Sequence, residues 1–521
     1  MQELPQFWKR LKVQQQYAFV STFIFGIIAH GSGIFNKFSA HDDLRYMFTG
    51  GVTFTSGRWM LYIAEKIKNL IFQDSVYSFP TINGFFTFLC IAVSLCLLID
   101  LFDIHSINFS ILLSGILTAV PVVTCMFGYM FTAQFFSLAI LFAVLGAYLV
   151  LKKERWYFWL TGIVLMTASI GIYQAYIPLI LSVFLFAVIM LFAEADTDEK
   201  RRLAFKKTGI SLICGISSLV LYYILMKFFL RINGLQLSSY KGMNAADSTP
   251  LSVYFSRIIW AYREFFLPTR GAIYDVFPAV SSVLYQVFVC AGLLLFGICT
   301  VRTFRKSAAA GVITLILGLL VPFCVNFIFI MVDRYNCYAM MVYSEAIGFV
   351  FFVWMFEKVI RLASPAFKKI TQTAVVSGMI VMVFVFCRYD NACYIRAEML
   401  QTQNIRYYAS LVTRMQCTTG YDPGMRVAYI GTPYLVRWDP NVPERSELDY
   451  INTDPYKRLS QTIDGPWRNF MEYWFDFKPR EVDISTVIDL PEVAEMPQYP
   501  AEGSIKVIDD ILVVKFMSDL E

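Results

Sequence analysis

The run YAFVSTFIFGIIAHGSGI, residues 17–34, decides the fold class of this chain. Its 18 residues include no Asp, Glu, Lys or Arg, so the run is long and apolar enough to cross a bilayer as one helix. No small-residue cleavage site follows it, which favours a retained membrane span over a signal peptide.

Similar apolar runs recur along the first three quarters of the chain. Of the 521 residues, 57% are hydrophobic and only 16% are charged, whereas soluble domains carry more charge. The runs predict about eleven spans, at residues 17–35, 83–101, 107–124, 132–151, 157–172, 175–193, 209–230, 282–301, 310–331, 338–356 and 373–389. We therefore expect an α-helical polytopic membrane protein.

Charge and cysteine usage argue against other classes. A formal net charge of +5 without a long basic run argues against nucleic acid as a partner. The eleven cysteines are mostly scattered singly through apolar runs, and no Cys-x-x-Cys or Cys/His cluster indicates a metal site.

Clusters of Lys and Arg fall on alternate connections between the predicted spans. They lie at residues 9–12, 152–155, 200–207, 302–306 and 358–369. Because such clusters favour the cytoplasmic side, their alternation predicts a cytoplasmic N-terminus. Three long segments then face the extracytoplasmic side, namely loops 36–82 and 231–281 and everything after residue 390.

The tail after residue 390 is polar and interrupted by Gly and Pro. Residues 391–415 have helical spacing, residues 425–431 predict a strand, and residues 504–516 predict a hairpin with Asp509-Asp510 at its turn. Cys393 and Cys417 both lie in this tail, where an oxidising exterior permits a disulfide between them.

We therefore divide the chain into two domains. Residues 1–389 form a transmembrane domain with outer loops 36–82 and 231–281. Residues 390–521 form a small extracytoplasmic α/β domain.

The first outer loop contains HDDLRYMFTGGVTFTSGRW, residues 41–59. Asp42 and Asp43 suit general-base work on a hydroxyl, or coordination of a divalent cation that screens a phosphate. Arg45 and Arg58 suit a lipid phosphate, because guanidinium groups match its oxygens. The structural alternative is that Asp42 caps the following helix and Asp43 pairs with a nearby Arg or Lys.

The next stretch, residues 60–72, predicts a short helix lying on the outer leaflet. Its apolar residues share one helical face, with charged and amide residues opposite. The apolar face is Ile63, Ile67, Leu70 and Ile71, and the polar face is Glu65, Lys66, Lys68 and Asn69.

Other polar residues near predicted span ends are weaker candidates. Tyr173 and Gln174 interrupt an apolar stretch and suit a sugar or phosphate, or else form a hydrogen-bonded kink before Pro178. Arg334 is a lone base on a short outer connection, where it binds a phosphate or pairs with its neighbour Asp333. Arg270, in the second outer loop, is a candidate for acceptor binding.

The chain resembles the GT-C fold glycosyltransferases, and within them the bacterial Gtr-type glucosyltransferases that decorate O-antigens and other surface polysaccharides. The resemblance rests on four short segments of this sequence. They are Asp42-Asp43, Gly57-Arg58-Trp59, residues 171–176 (GIYQAY) and the closing segment 496–516.

The resemblance implies a reaction on the outer side of a bacterial cell membrane. A sugar, glucose by default, moves from a polyprenyl-phosphate carrier such as undecaprenyl phosphate to a cell-surface glycan, usually with inversion. Asp42 or Asp43 is then the base, with Asp42 slightly favoured. The donor-binding candidates are Arg45, Arg58, Tyr173, Gln174 and Arg334. The candidates for acceptor binding are Trp59 and Arg270. Some members of the fold use a metal, so a divalent cation stays open as a cofactor.

Two other classes remain as alternatives. A flippase for lipid-linked oligosaccharides is expected to bury charged residues along several spans, whereas these spans are nearly free of charge. A polysaccharide polymerase or ligase is compatible with the arginines of the second outer loop.

Overall fold

The computed structural model describes residues 8–38, 41–239, 249–268, 279–332, 337, 339–361, 363–433 and 466–516. The chain divides into two compact units. The first comprises residues 1–36 and 50–391, and the second comprises residues 37–49 and 392–521. The segment around the acid pair therefore belongs to the same unit as the C-terminal tail.

The described residues of the first unit form helices and their connections, without a strand. Its helices are α1 (Val13–Phe35), α3 (Trp59–Phe72), α4 (Pro80–Leu101), α5 (Ile107–Ala119), α6 (Pro121–Phe127), α7 (Met130–Lys152), α8 (Trp156–Ile172), α9 (Ile177–Glu194), α10 (Asp198–Ile232), α11 (Leu251–Phe266), α12 (Ala279–Lys306), α13 (Ala308–Leu319), α14 (Val321–Val325), α15 (Ile328–Met331) and α16 (Ser344–Ile360). Helix α17 (Pro365–Gln416) begins in this unit and continues into the second.

Seven helices in the described part are long and apolar enough to cross a membrane, or eight if the bent pair α5–α6 is one span. The chain is thus a helical membrane protein. Helices α8 and α13 are also apolar but shorter. The count of eleven spans and the side on which each loop lies stay predictions.

The predicted span at 310–331 is interrupted in the structure. Helix α13 ends at Leu319, and α14 and α15 follow as separate short helices. Pro322 stands in the first turn of α14, where its ring permits a helix start but not a continuing helix. Asn326, between α14 and α15, is buried and donates a hydrogen bond to the Ala261 carbonyl at 3.1 Å.

Small residues allow close packing of α7 against α8. A Cβ atom on Gly146 would lie 2.9 Å from the Gly162 carbonyl oxygen, so the two backbones approach as closely as glycine permits. Ser169 Oγ donates to the Ala139 carbonyl at 2.7 Å across the same pair of helices. Without water in the surroundings, such close packing and interhelical hydrogen bonds hold membrane helices together.

The second unit contains a four-stranded sheet with order β2-β1-β4-β3. The strands are β1 (Arg426–Ile430), β2 (Arg480–Glu481), β3 (Ile505–Ile508) and β4 (Ile511–Lys515). Strand β1 pairs in parallel with β2 and β4, and β3 pairs antiparallel with β4. The β3–β4 turn has positive φ at Asp509 (47°) and Asp510 (57°), as a two-residue hairpin requires, so the predicted hairpin is confirmed.

Helices cover this sheet. They are α2 (His41–Tyr46), the C-terminal part of α17, α18 (Pro466–Phe475) and the short α19 (Pro491–Ala494). One core cluster contains Tyr408, Val427, Trp467, Phe470 and Leu512, all fully buried. The predicted strand at 425–431 and helix at 391–415 are both present.

The geometry of α17 excludes the disulfide that an oxidising exterior would permit. Cys393 lies inside α17 and Cys417 directly follows its last residue. At about 1.5 Å of rise per residue, the two are separated by roughly 35 Å along one helix axis, far beyond disulfide reach.

Candidate functional site

The acid pair lies on helix α2 of the second unit. Leu44, between the acids and Arg45, is fully buried in the core that also contains Tyr408 and Phe470. Burying one leucine stabilises a fold by about 1.5–3 kcal/mol. Asn469 of α18 donates to the Leu44 carbonyl at 3.2 Å, and the Phe48 ring packs edge-on against Tyr473 at 4.9 Å. The second unit therefore holds α2 by side-chain and backbone contacts.

The two adjacent carboxylates have different surroundings. Asp43 is 1% exposed and forms an ion pair with Lys37, whose side chain is 27% exposed. Asp42 is half-buried, and Arg45 is exposed. For Asp43, the structural alternative of pairing with a nearby base is therefore realised, while Asp42 keeps access to solvent.

A second group of predicted residues meets in the first unit, around Gly57-Arg58-Trp59. The Arg58 guanidinium lies over the Tyr173 ring, 5.0 Å from its centroid, and 5.9 Å from that of Phe136. The two rings stack on each other at 4.5 Å. No carboxylate of the described residues forms an ion pair with Arg58, and its buried Nε lacks a hydrogen-bond partner. An aromatic pair thus holds a half-buried guanidinium, a group that readily takes an anionic oxygen.

Gln174 joins this group through its side-chain amide. Its Nε2 donates to the Ser56 carbonyl at 2.6 Å and to the Tyr222 hydroxyl at 3.0 Å. Tyr222 in turn donates to the Gly57 carbonyl at 3.2 Å. The amide nitrogen of Gln174 therefore fixes the backbone that precedes Arg58.

Trp59 packs as a buried residue, with 6% of its surface exposed. Its ring stacks on Phe229 at 5.6 Å, and a Cβ atom on Gly171 would lie 2.8 Å from it. The ring therefore has Phe229 stacked on it and Gly171 close to its six-membered part. The assignment of Trp59 to acceptor binding stays a prediction that this packing does not favour.

The predicted site residues thus fall into two groups. Asp42, Asp43 and Arg45 belong to the second unit, and the first unit brings together Arg58, Trp59, Tyr173 and Gln174. Arg270 and Arg334 lie outside the described residues.

Glu65 is a buried acid whose burial the sequence did not reveal. It is 6% exposed and accepts the Gly51 backbone N–H at 2.9 Å, although the helical pattern placed it on the polar face of α3. Burial raises its pKa to about 7. A Cβ atom on Gly50, whose φ is +73°, would lie 2.8 Å from the Glu65 carboxylate. The adjacent glycines were the signal for such a close approach.

The exposed face of α3 agrees with the predicted amphipathic pattern. Leu70, Ile71 and Phe72 are 79%, 64% and 66% exposed. Its placement on the outer leaflet stays a prediction.

Comparison with known families identifies the chain. The profile of Glucosyl transferase GtrII matches residues 31–353, more than half of the chain. The chain belongs to the GtrII glucosyl transferase family. No curated protein and no solved structure matches it. The matched range includes the acid pair of α2 and the Arg58 group, and it ends before the C-terminal sheet.

Membership of the GtrII family makes the chain a glycosyltransferase, with a sugar donor and a glycan acceptor. The resemblance to the Gtr-type glucosyltransferases is therefore confirmed, while the GT-C fold stays a prediction.

Proposed function

We propose that this GtrII member moves glucose from a polyprenyl-phosphate carrier to a cell-surface glycan on the extracytoplasmic side of a bacterial membrane. The N-terminus is then cytoplasmic, and the second unit is extracytoplasmic. Asp42 acts as the general base. The observation that supports this most is the contrast between the two acids: Asp43 is buried against Lys37, whereas Asp42 is accessible.

The proposed chemistry is a single displacement. The Asp42 carboxylate accepts the proton of an acceptor hydroxyl, and the hydroxyl oxygen forms a bond to the anomeric carbon of glucose. The bond from that carbon to the phosphate oxygen breaks, and the electron pair leaves with polyprenyl phosphate. Because attack and departure occur on opposite faces, the anomeric configuration inverts.

Arg58 is our candidate for the carrier phosphate. Its guanidinium is planar, permanently charged and held on the Tyr173 ring, so its remaining N–H groups suit phosphate oxygens. The negative charge on the departing phosphate is then stabilised by the Arg58 guanidinium, which needs little reorganisation. Arg45, exposed on α2, is a second candidate for an anionic part of either substrate.

The test is a transfer assay with purified full-length protein. Undecaprenyl-phosphate-linked radiolabelled glucose and a surface glycan extract serve as substrates, and Asp42→Asn is compared with wild type. General-base catalysis typically contributes about 10²–10⁴-fold, so we expect a loss of that size without a change in thermal stability.

The matched control is Glu154→Gln, which neutralises an exposed acid elsewhere. It should transfer glucose like wild type. Full transfer by Asp42→Asn would overturn the base assignment. Wild type that transfers no sugar from any polyprenyl-phosphate donor, but moves lipid-linked oligosaccharide across a vesicle, would favour the flippase alternative.

A further inference from the structure

A cavity of about 130 Å³ lies within the helices of the first unit, away from the Arg58 group. The lining residues come from α9, α11, α12, α13, α14 and α16, and eight of them are phenylalanines. Phe265, Phe288 and Phe352 are examples from three different helices. Cavities of roughly 150 Å³ hold a benzene-sized molecule, so this one has room for a small ligand.

Glu345 interrupts this apolar lining. It lies in the first turn of α16, is 4% exposed, and is the only acidic or basic side chain among the described residues that line the cavity. Both of its carboxylate oxygens are buried without a hydrogen-bond partner. A buried carboxyl group without a partner is unfavourable, so such a group indicates a missing ligand or a functional role.

The surroundings of Glu345 restrict the class of ligand. An anion is disfavoured, since Glu264 is also buried and close enough to Glu345 to interact with it electrostatically. A purely apolar ligand would leave the Glu345 oxygens unpaired. A metal ion needs several oxygen ligands, which phenylalanine walls do not provide.

An ammonium group satisfies all of these conditions. One carboxylate is enough to pair with it through charge-assisted hydrogen bonds. The surrounding aromatic faces attract a desolvated cation and also accommodate its apolar body. We propose that this cavity binds a primary ammonium group carried on a small apolar body, with Glu345 as its counter-ion.

Gly348 keeps space open next to this carboxyl. It lies three residues after Glu345, on the same face of α16, and also lines the cavity. A Cβ atom added to Gly348 would meet no atom within 4 Å. A larger side chain at this position therefore fills the cavity without a backbone clash.

The test measures binding to the full-length protein in phosphatidylglycerol nanodiscs by titration calorimetry, with empty nanodiscs as the blank. Benzylamine is the probe, and benzyl alcohol is the neutral molecule of the same shape. A hydrogen bond to a charged group corresponds to a change in affinity of roughly tenfold or more. We therefore expect benzylamine to bind at least about tenfold more tightly than benzyl alcohol.

Glu345→Gln should weaken benzylamine about tenfold or more and leave benzyl alcohol unchanged. Gly348→Leu should block both molecules, and Glu154→Gln should change neither. The proposal is overturned if wild type binds both molecules equally or binds no benzylamine, or if Glu345→Gln binds benzylamine as wild type does.

A further pair of titrations identifies the source of the ammonium group. With phosphatidylethanolamine added to the nanodiscs, a lower apparent benzylamine affinity shows that the lipid headgroup occupies the site. An unchanged affinity shows that the site takes soluble amines. Neither result depends on glucose transfer, so this inference and the proposed function succeed or fail separately.

Discussion

The side-chain amide of Gln174 donates a 2.6 Å hydrogen bond to the Ser56 carbonyl, 118 positions earlier in the chain. This bond joins the two short membrane-domain segments, Gly57-Arg58-Trp59 and residues 171–176, on which the family resemblance partly rested. The Arg58 guanidinium then lies on the Tyr173 ring. The junction therefore fixes the position of the guanidinium proposed for the carrier phosphate.

Gly57→Ala should destabilise the protein. Gly57 has φ +71°, and a Cβ atom there would lie 2.7 Å from Gln174 Nε2 and 2.8 Å from the Tyr222 hydroxyl. The left-handed conformation alone costs a non-glycine residue roughly 1–2 kcal/mol. We expect a lower midpoint in thermal unfolding of the purified protein.

The matched control is Gly209→Ala in α10, where an added Cβ atom meets nothing within 4 Å. In a helix, alanine is more favourable than glycine by up to about 1 kcal/mol, so the midpoint should stay or rise. Equal midpoints for the two alanine variants would contradict the role assigned to Gly57.

Gln174→Leu separates a positioning role from donor binding. The variant leaves the buried Ser56 carbonyl without its side-chain donor, which costs about 1–3 kcal/mol. Tyr222→Phe, which removes only the hydroxyl, should cost less. Unfolding midpoints and glucose transfer at limiting donor are both measured. A normal midpoint with lost transfer would instead assign Gln174 to the donor, as the sequence suggested.

Glu65 should make stability depend on pH. Burial raises its pKa from 4.5 to about 7 in the folded protein, so the folded state binds this proton more tightly than the unfolded state. The contribution is full below pH 4.5 and is lost as the pH rises through 7. At most it is on the order of 3 kcal/mol.

Glu65→Gln checks this prediction. The glutamine Oε1 can still accept the Gly51 N–H, but the side chain no longer binds or releases a proton. Between pH 5 and pH 8, the unfolding midpoint of wild type should fall relative to that of Glu65→Gln. Glu154→Gln, an exposed control, should follow wild type. Parallel curves for Glu65→Gln and wild type would show that Glu65 does not titrate in this window.

Lys37→Met should destabilise the second unit, because it removes the ion pair between Lys37 and the buried Asp43. Removing one partner of a buried pair costs roughly 3–5 kcal/mol. Because the Lys37 side chain is 27% exposed, we expect a smaller cost, roughly 1–3 kcal/mol. Adding Asp43→Asn to Lys37→Met should restore part of the lost unfolding midpoint. An unchanged midpoint in Lys37→Met would mean that the pair contributes no stability.

Local patterns predicted much of the fold. The helices at residues 60–72 and 391–415 and the β3–β4 hairpin were found where hydrophobic period and turn residues placed them. The interruption between α13 and α15 was missed, because apolar composition alone does not distinguish one long helix from several short ones around Pro322. An oxidising exterior would permit a disulfide between Cys393 and Cys417, but a single helix keeps the two cysteines apart.

For the candidate site, the residue types could be read from the sequence, but the surroundings of each side chain could not. Asp42 and Asp43 are the same residue side by side, and only packing against Leu44 and Lys37 gives them different exposure. The helical pattern placed Glu65 on the polar face of α3. In the folded protein, Gly50 and Gly51 lie against its carboxyl group. Glu345 was one more residue of a predicted span.

The amino-acid sequence alone is enough to identify a helical membrane protein of the GtrII family, with paired acids and arginines near its first predicted span. Hydrophobic periodicity, charge distribution and short motifs are local properties, and the chain carries them before it folds. Folding establishes which acid is accessible, which arginine lies on an aromatic pair, and which carboxyl groups are buried. Those properties depend on contacts between residues up to 425 positions apart in the chain, as between Leu44 and Asn469. Burial and pairing of a side chain exist only once such contacts have formed.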